Sequence, residues 1–377
     1  MDLQHSQFIQ IEKTRGIKMD ISKIDKNFCS YYSFEGMRTY DVNDNPFTLY
    51  GLCREDCKSD FKRLPHSLAE KIDNNSIKAL YKNTAGIRVR FRTDSKQIIL
   101  KCVFPKLSTS STMPLTGSSC FDLYADGKYC SVFRPAIDIN GKFSTNTMED
   151  TGYTSGYVFP EKEMREILIH FPLYNDVDEV YIALEEGATL LETKGYKNSV
   201  PIVFYGSSIT QGGCASHAGN CYSAIISRRL GCDYINLGFS AGCFAEKEMC
   251  EYISELEKSV LVYDYDHNAE TAEFLENTHE RFFKQLREKN PCLPVVMISA
   301  ADDSFGKEAE RRKKIIKKTF ENAKIAGDNN VYYIDGSEIY KSVGTEYCTV
   351  DGIHPNDHGF FHMANVIGDI IKSVIEK

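Results

Sequence analysis

The sequence predicts a mixed α/β protein in which an antiparallel β-sandwich precedes a three-layer domain built on a parallel sheet. From Val200 onward, short apolar segments alternate with longer segments of helical periodicity, the pattern of a parallel sheet with helices on both faces. Before about Glu192, short apolar segments follow one another without strong helices between them, which is typical of a sandwich. We therefore predict two domains, at residues 1–195 and 198–377.

The strands of the N-terminal half are predicted from alternation and from short apolar runs. Ile87, Val89 and Phe91 alternate with three arginines, which indicates a strand with one buried and one solvated face. Asp-, Gly-, Ser- and Pro-containing turns separate the other candidates, which favours a jelly-roll-like sandwich. Those further strands are predicted at 98–103, 121–124, 167–171 and 180–184.

Strands and helices alternate throughout the C-terminal half. The strands are predicted at 202–205, 234–237, 260–263, 295–299 and 331–334. The helices are predicted at 222–230, 246–256, 272–289, 307–326 and 357–376.

Composition and charge exclude several classes of function. With 377 residues, of which 42% are hydrophobic, the chain is long enough for two cores. The net charge of −8 argues against nonspecific nucleic-acid binding, because a surface that follows phosphates needs clustered Lys and Arg. Residues 1–20 lack the apolar core of a signal peptide, and the chain has no run of about 18 apolar residues. We expect a cytoplasmic protein that does not bind nucleic acid or cross a membrane.

Cysteine and histidine patterns argue against a metal site. The thirteen cysteines include no C-x-x-C pair, and Cys53 with Cys57 has no second pair of ligands nearby. His358 and His362 are spaced i and i+4, but they lack the glutamate of an H-E-x-x-H motif. We therefore interpret the cysteines as reduced thiols and the two histidines as packing or surface residues, and we expect no metal.

A serine-rich turn follows the first predicted strand of the C-terminal half. Gly206, Ser207 and Ser208 come directly after residues 202–205, so the serines emerge at the carboxyl end of a parallel strand, where open α/β sheets bind ligands. A serine hydroxyl is a weak nucleophile at neutral pH, and it needs a base and donors aimed at the developing oxyanion. The turn therefore predicts a nucleophile.

An aspartate stands three residues before a histidine just ahead of the last predicted helix. A tight turn at this spacing lets Asp351 bond one ring nitrogen of His354 while the other nitrogen faces outward. Together with Ser208, the pair supplies a nucleophile, a base and a group that orients the base. The pattern is not the G-x-S-x-G elbow of an α/β-hydrolase, because Thr210 stands where that motif has its last glycine.

These segments resemble the blocks of the SGNH, or GDSL-type, hydrolase superfamily. Residues 206–209 match the first block with Ser207 in place of the usual aspartate, Asn268 matches the third block, and Asp351 with His354 matches the last. The resemblance extends over about 200–377 and implies a flavodoxin-like α/β/α fold. By position it also makes Ser208 the nucleophile, His354 the base and Asp351 the residue that orients the base.

The resemblance also implies an oxyanion hole. Its donors would be the backbone N–H groups of Ser208 and Ala241 and the side chain of Asn268. Ala241 replaces the glycine that the family usually has in the second block. The N–H of Ala241 survives this replacement if its φ is negative.

The N-terminal half carries a second resemblance. Residues 120–124 resemble the GxDLY motif of a β-sandwich domain that precedes one branch of these hydrolases, with Cys120 in place of glycine. Its position ahead of an SGNH-type block supports the assignment.

Two further polar pairs have alternative interpretations. His217 and Asn220 follow the nucleophile block and either line the pocket or serve as ordinary loop residues. Asp302 and Asp303 follow the fourth strand and either contact substrate hydroxyls or cap the next helix.

The resemblance implies a serine esterase that needs no metal or organic cofactor. A β-sandwich ahead of the catalytic domain resembles the arrangement in acetylesterases that act on plant polysaccharide fragments, so our first hypothesis is hydrolysis of acetyl esters on short oligosaccharides. One alternative is a short-chain acyl esterase or thioesterase that acts on another small molecule. The other is a noncatalytic carbohydrate-binding protein on a degenerate hydrolase fold, which Ser207 and Ala241 favour and the complete set of predicted catalytic residues opposes.

Overall fold

A computed structural model describes residues 35–52, 60–134 and 151–376. The segment 1–20 and the pair Cys53 and Cys57 lie outside the described residues. None of the described helices is long and apolar enough to cross a membrane.

The described N-terminal half consists mostly of strands. These are β1 (Met37–Asp41), β2 (Thr48–Tyr50), β3 (Arg88–Thr93), β4 (Gln97–Val103), β5 (Phe121–Ala125), β6 (Lys128–Phe133), β7 (Gly152–Val158), β8 (Arg165–His170), β9 (Glu179–Glu185) and β10 (Leu190–Leu191). Short helices lie between some of them: α1 (His66–Lys71), α2 (Asn75–Leu80) and α3 (Leu115–Ser118).

The strands form two antiparallel sheets that face each other across one hydrophobic core. One sheet has the order β1-β9-β4-β7, and the other has the order β10-β3-β8-β5-β6 with β2 paired to β3. The apolar residues that alternate along these strands meet between the sheets, where Val89, Leu100, Phe121, Ile169 and Ile182 are buried. The prediction of a β-sandwich is confirmed.

The C-terminal half alternates strands with helices. The strands are β11 (Asn198–Gly206), β12 (Cys232–Gly238), β13 (Val260–Asp264), β14 (Val295–Ile298) and β15 (Val331–Ile334). The helices are α4 (Ser208–Gln211), α5 (Tyr222–Leu230), α6 (Lys247–Glu255), α7 (Ala272–Lys289), α8 (Ala309–Ile325), α9 (Thr345–Cys348) and α10 (Asp357–Ile375).

All neighbouring strands of this half pair in parallel, in the order β12-β11-β13-β14-β15. Helices α6, α7 and α8 contribute to the core on one face of the sheet, and α5 and α10 contribute to the core on the other. The predicted three-layer α/β/α domain is therefore confirmed. Because β11 lies between β12 and β13, the strand order reverses there, and the carboxyl end of β11 is where open α/β sheets bind their ligands.

One arginine of the N-terminal half contradicts its predicted environment. Alternation places Arg88 on a solvated face, yet its side chain is fully buried. The guanidinium pairs with Asp233, donates to the carbonyl oxygen of Tyr234 at 3.0 Å and lies 4.0 Å from the centre of that tyrosine's ring. The prediction was wrong at this position because Arg88, the first residue of β3, packs against the C-terminal half, and alternation cannot show what covers a face.

Part of the N-terminal half also joins the core of the parallel sheet. Leu64, Ile77 and Tyr81, in and around α1 and α2, are buried in the same cluster as Phe239 and its neighbours. The change from antiparallel to parallel pairing falls between β10 and β11. The boundary near residues 195–198 stays a prediction.

Candidate active site

The predicted nucleophile stands where β11 turns into α4. Ser207 is the N-cap of α4, and its Oγ accepts a hydrogen bond from the N–H of Ile209 at 3.2 Å. Serine and aspartate are both favourable N-caps, so the serine keeps the capping function at the position where the family usually has aspartate. Ser208 is the first residue of the helix, and its N–H therefore has no intrahelical acceptor.

Gly206 allows this turn to lie against the adjacent strand. A Cβ atom at Gly206 would overlap the carbonyl oxygen of Asp264 and the hydroxyl of Thr210. Any side chain would therefore push the turn away from β13. The close approach explains why the serine-rich turn begins with glycine.

The structure brings together the three residues that the sequence assigns to catalysis. The Oγ of Ser208 lies 2.9 Å from Nε2 of His354. The other ring nitrogen, Nδ1, lies 2.8 Å from Oδ2 of Asp351. Ser208 is 8% exposed, whereas the side chains of His354 and Asp351 are 23% and 31% exposed, so the serine is more enclosed than its two partners.

The turn that carries His354 also holds Asp351 in its ionised form. The Oδ1 atom of Asp351 accepts the backbone N–H of His354 at 2.8 Å and that of Ile353 at 3.1 Å. Partial burial raises the pKa of Asp351, but these hydrogen bonds and the neighbouring imidazole outweigh it and hold the pKa below its usual value. The carboxylate is therefore charged at neutral pH and can orient the imidazole and stabilise its protonated form.

The two other predicted oxyanion donors, Asn268 and the backbone N–H of Ala241, are linked by a hydrogen bond from Asn268 to the loop of Ala241. Asn268 is buried, and its amide nitrogen donates to the carbonyl oxygen of Phe239 at 2.9 Å. Phe239 opens the loop 239–242, which contains Ala241. An amide nitrogen carries two N–H groups, so one can hold this loop while the other stays available to a substrate.

Ala241 adopts a backbone conformation that glycine favours. Its φ is +49°, so the condition of a negative φ, under which we expected its N–H to survive the replacement, is not met. The left-handed conformation costs an L-residue about 1–2 kcal/mol. The loop therefore keeps the backbone shape of a glycine loop at the expense of local strain.

Replacing Ala241 with glycine is expected to stabilise the protein by about 0.5–1 kcal/mol, because the relief of strain exceeds the extra entropy of an unfolded glycine. Urea unfolding would measure the change. Ala309→Gly is the matched control, because Ala309 has a φ of −54° and is the first residue of α8. Glycine should therefore destabilise the protein at this position. Equal destabilisation by both substitutions would contradict the account.

Residues of the N-terminal half hold the loop 239–242 in place. The buried guanidinium of Arg63 donates to the carbonyl oxygen of Gly238 and lies 4.2 Å from the centre of the Phe239 ring. The amide of Asn74 donates to the carbonyl oxygen of Gly242 at 2.8 Å. Sequence analysis missed both residues, since neither lies in a motif and the contacts span more than 160 positions of sequence.

Gln211 links the nucleophile helix to the same loop and to the N-terminal half. Its Oε1 accepts the N–H of Ser240 at 3.0 Å, and its Nε2 donates to Asn83 at 3.2 Å and to the carbonyl oxygen of Leu173 at 3.1 Å. The hydroxyl of Tyr174 also donates to the carbonyl oxygen of Ser208 at 3.1 Å. The N-terminal half therefore contacts both the nucleophile turn and the predicted oxyanion loop.

Asp264 is a buried carboxyl group beside the nucleophile turn that the sequence did not reveal. It ends β13, and its Oδ2 accepts hydrogen bonds from Thr210 at 3.2 Å and Tyr222 at 3.1 Å. Burial raises the pKa of Asp264 to about 7, although the charge of His267 and these two hydrogen bonds act in the opposite direction.

The raised pKa of Asp264 predicts how its contribution to stability depends on pH. Between about pH 4, where an unfolded aspartate ionises, and about pH 7 the folded protein binds the additional proton, so the free energy of unfolding falls as pH rises across this interval. Asp264→Asn removes this titration. We expect the variant's stability relative to wild type to increase from pH 4 to pH 7, by on the order of a few kcal/mol, and then to stay constant. Urea unfolding at pH 5 and pH 8 tests this, and an equal difference at both values would contradict it.

The remaining polar candidates are bonded within the protein. His217 lies 2.6 Å from Oδ2 of Asp122, and Asn220 donates to Asp357 at 2.9 Å. Asp302 lies 2.6 Å from Nε2 of His267 and is buried.

Asp303 and the histidine pair lie outside this buried group. Asp303 is exposed and accepts the hydroxyl of Thr345 at 3.3 Å. His358 and His362 stack edge to face on α10 with ring centres 4.7 Å apart.

Comparisons with known proteins agree with both halves of the chain. The model of the GDSL-like Lipase/Acylhydrolase family matches residues 199–372. The model of the GxDLY domain, the N-terminus of SGNH-hydrolase-type esterases, matches residues 37–190. No curated protein sequence shows significant similarity to the chain.

Solved structures resemble the chain over both halves. A candidate GDSL-like lipase from Bacteroides ovatus is 25% identical with a TM-score of 0.77, and the match covers 90% of this chain and 98% of that one. The salicylyl-acyltransferase SsfX3 from a tetracycline biosynthetic pathway is 20% identical with a TM-score of 0.70 and the same coverage, 90% and 98%. The acetyl xylan esterase Est2A from Butyrivibrio proteoclasticus is 12% identical with a TM-score of 0.54, and the match covers 90% and 99% of the two chains. Residues 199–372 therefore belong to the SGNH, or GDSL-type, hydrolases, and residues 37–190 form the GxDLY-type β-sandwich that precedes the hydrolase domain in one branch of them.

Proposed function

We propose that the protein is a serine esterase that removes short acyl groups, acetyl in the first instance, from oligosaccharides. The observation that carries the proposal is the continuous hydrogen-bonded series from Ser208 through His354 to Asp351, with distances of 2.9 and 2.8 Å. A hydroxyl, an imidazole and a carboxylate in this order are the groups that acyl transfer needs.

In the first half of the proposed reaction, Nε2 of His354 takes the proton of Ser208 as Oγ attacks the ester carbonyl carbon. The tetrahedral intermediate then collapses, the bond to the sugar oxygen breaks, and His354 returns the proton to the leaving alcohol. In the second half, His354 takes a proton from water as its oxygen attacks the acyl carbon; the bond between this carbon and Oγ of Ser208 then breaks, His354 returns the proton to Oγ, and the carboxylic acid leaves. Asp351 stays ionised throughout and stabilises the imidazolium.

The negative charge on the carbonyl oxygen of the intermediate needs donors that are in place before the reaction. We assign them to the backbone N–H groups of Ser208 and Ala241 and to the amide of Asn268. The bond from Asn268 to Phe239 keeps this amide and the loop of Ala241 in a fixed relation. The donors therefore need little reorganisation when the charge develops.

Two observations support an acetylated sugar as the substrate. The chain shares its two-part fold with an acetyl xylan esterase along nearly the whole length of both proteins. The predicted nucleophile lies at the carboxyl end of β11, and Tyr174 of the N-terminal half donates to its carbonyl oxygen. Because folds of this kind carry several acyl-transfer activities, the substrate is a proposal that the fold alone does not decide.

A second candidate is a short-chain acyl esterase that acts on a less polar small molecule. Helix α9 and the loop after it, which carries Asp351 and His354, expose apolar side chains, since Tyr347, Val350 and Ile353 are 65%, 49% and 36% exposed. Exposed apolar side chains beside a reactive group favour contact with an apolar part of a substrate.

The deciding experiment compares acyl release from two panels of substrates. Acetate release from acetylated xylo- and manno-oligosaccharides should exceed hydrolysis of butyryl and hexanoyl 4-nitrophenyl esters in kcat/KM. The reverse order would favour the second candidate. No hydrolysis of any ester, including 4-nitrophenyl acetate, above the rate of Ser208→Ala would refute both and favour a noncatalytic binding protein.

A further inference from the structure

The acid of the GxDLY-type motif, Asp122, lies at a contact between the two halves of the chain. It is buried in β5, and Nδ1 of His170, on the adjacent strand β8, lies 2.8 Å from its Oδ1. From the C-terminal half, Nδ1 of His217 and the backbone N–H of Gly219 both lie 2.6 Å from its Oδ2. Three N–H donors from two domains therefore meet at one carboxylate.

The contact is built around a charged carboxylate. Burial raises the pKa of Asp122, but the charges and hydrogen bonds of His170 and His217 outweigh it and hold the pKa well below its usual range. Hydrogen bonds to an ionised acceptor are roughly twice as strong as neutral ones. Among the described residues, no group of three potential ligands is spaced for a metal ion, and these distances are those of hydrogen bonds.

The contact is closely packed. A Cβ atom on Gly219 would overlap the hydroxyl of Tyr124 and would lie 2.8 Å from Oδ2 of Asp122. The ring of His217 stacks on the ring of Tyr129 with centres 4.6 Å apart. His217 and Gly219 belong to the loop 212–221, which begins directly after the nucleophile helix α4.

The other side of the same loop is tied to the helix that follows His354. Asp357, the first residue of α10, accepts the N–H of Ser216 at 2.8 Å, the hydroxyl of Ser216 at 2.5 Å and the amide of Asn220 at 2.9 Å. Asp357 stands three residues after His354. The loop, which follows the nucleophile helix in sequence, is thus bonded to Asp122 on one side and to the first residue of α10 on the other.

We propose that Asp122 is a positioning residue of the active site, which acts through the loop 212–221 to keep His354 within hydrogen-bonding distance of Ser208. The inference rests on the proposed roles of Ser208 and His354 in ester hydrolysis. It assigns the β-sandwich a part in the reaction: without the sandwich carboxylate, the loop to which the start of α10 is bonded loses its anchor on the other side. A displacement of about 1 Å between reacting groups can cost on the order of 100-fold in rate.

The main test is Asp122→Asn, which keeps the size of the side chain but removes the charge. We expect kcat for 4-nitrophenyl acetate to fall about 10- to 100-fold, with KM changed less than about threefold. Inactivation by phenylmethylsulfonyl fluoride, which reports reactivity of the serine, should slow by a similar factor. Asp126→Asn is the matched control, because Asp126 directly follows β5 and its carboxylate accepts the N–H of Glu166, within the sandwich. It should keep wild-type kcat.

A second pair of variants keeps the proposal testable if Asp122→Asn does not fold. His217→Leu removes one donor, whereas His217→Asn places an amide nitrogen at the position of Nδ1 and should restore much of the lost kcat. Combining His217→Leu with Asp357→Asn should cost less than the product of the single effects, because both act on one loop.

Three results would overturn the inference. The first is a wild-type kcat in folded Asp122→Asn or His217→Leu. The second is an equal loss of kcat in His217→Leu and His217→Asn. The third is a double variant, His217→Leu with Asp357→Asn, whose loss of kcat equals the product of the two single losses. If Ser208→Ala kept its activity, the proposed function would fail first. If Ser208→Ala were inactive and His217→Leu were fully active, only the positioning role would fail.

Discussion

Ser208→Ala is expected to lower kcat by about 10⁴-fold or more and to leave the fold intact. The hydroxyl is the attacking atom in the proposed reaction, and it lies 2.9 Å from Nε2 of His354. An alanine leaves the imidazole without a proton to accept, so no acyl-enzyme forms. Steady-state hydrolysis of 4-nitrophenyl acetate measures the loss, and circular dichroism checks the fold.

Ser207→Ala is the matched control for this substitution, because the two serines are adjacent and both are buried. Ser207 caps α4 through its bond to the N–H of Ile209, so its loss should cost about 1 kcal/mol in stability and only a modest fraction of kcat. If Ser207→Ala were inactive and Ser208→Ala retained turnover, the nucleophile would be misassigned by one position.

Asn268→Ala is expected to lower kcat by about 10²–10³-fold, equivalent to about 2.7–4 kcal/mol of transition-state stabilisation, with little change in KM. In the proposed reaction its amide donates to the oxygen that gains negative charge, an interaction that strengthens mainly in the transition state. The same substitution removes the bond to Phe239 and so loosens the loop of Ala241. Both effects weaken the stabilisation of the oxyanion, so both lower kcat.

Asn290→Ala is the control for loss of a partly buried amide contact. The amide of Asn290 donates to the carbonyl oxygen of Ser254 at 3.1 Å, at the C-terminal end of α7 and away from the nucleophile turn. It should reduce stability without changing kcat. Wild-type turnover in Asn268→Ala would show that the third block is misassigned, and His267 or Asp266 would become the residue to test.

Most elements of the parallel sheet could be predicted because their signals are local. The helix predicted at 272–289 coincides with α7, and the predicted strands of the C-terminal half overlap β11 to β15. The N-terminal half was harder, since β1, β2, β6 and β7 and the short helices α1 and α2 carry weak periodicity. Short strands depend on partners that are distant in sequence, so their own residues specify them poorly.

The sequence by itself determined the order of the two folds and the positions of Ser208, Asp351 and His354, because periodicity and short motifs are properties of neighbouring residues. Only the tertiary structure decided the burial of Arg88, the positive φ of Ala241 and the contact between Asp122 and the loop after the nucleophile. These features depend on which surfaces meet when two domains pack together. That packing joins residues about a hundred positions apart, and no local pattern in the chain records it.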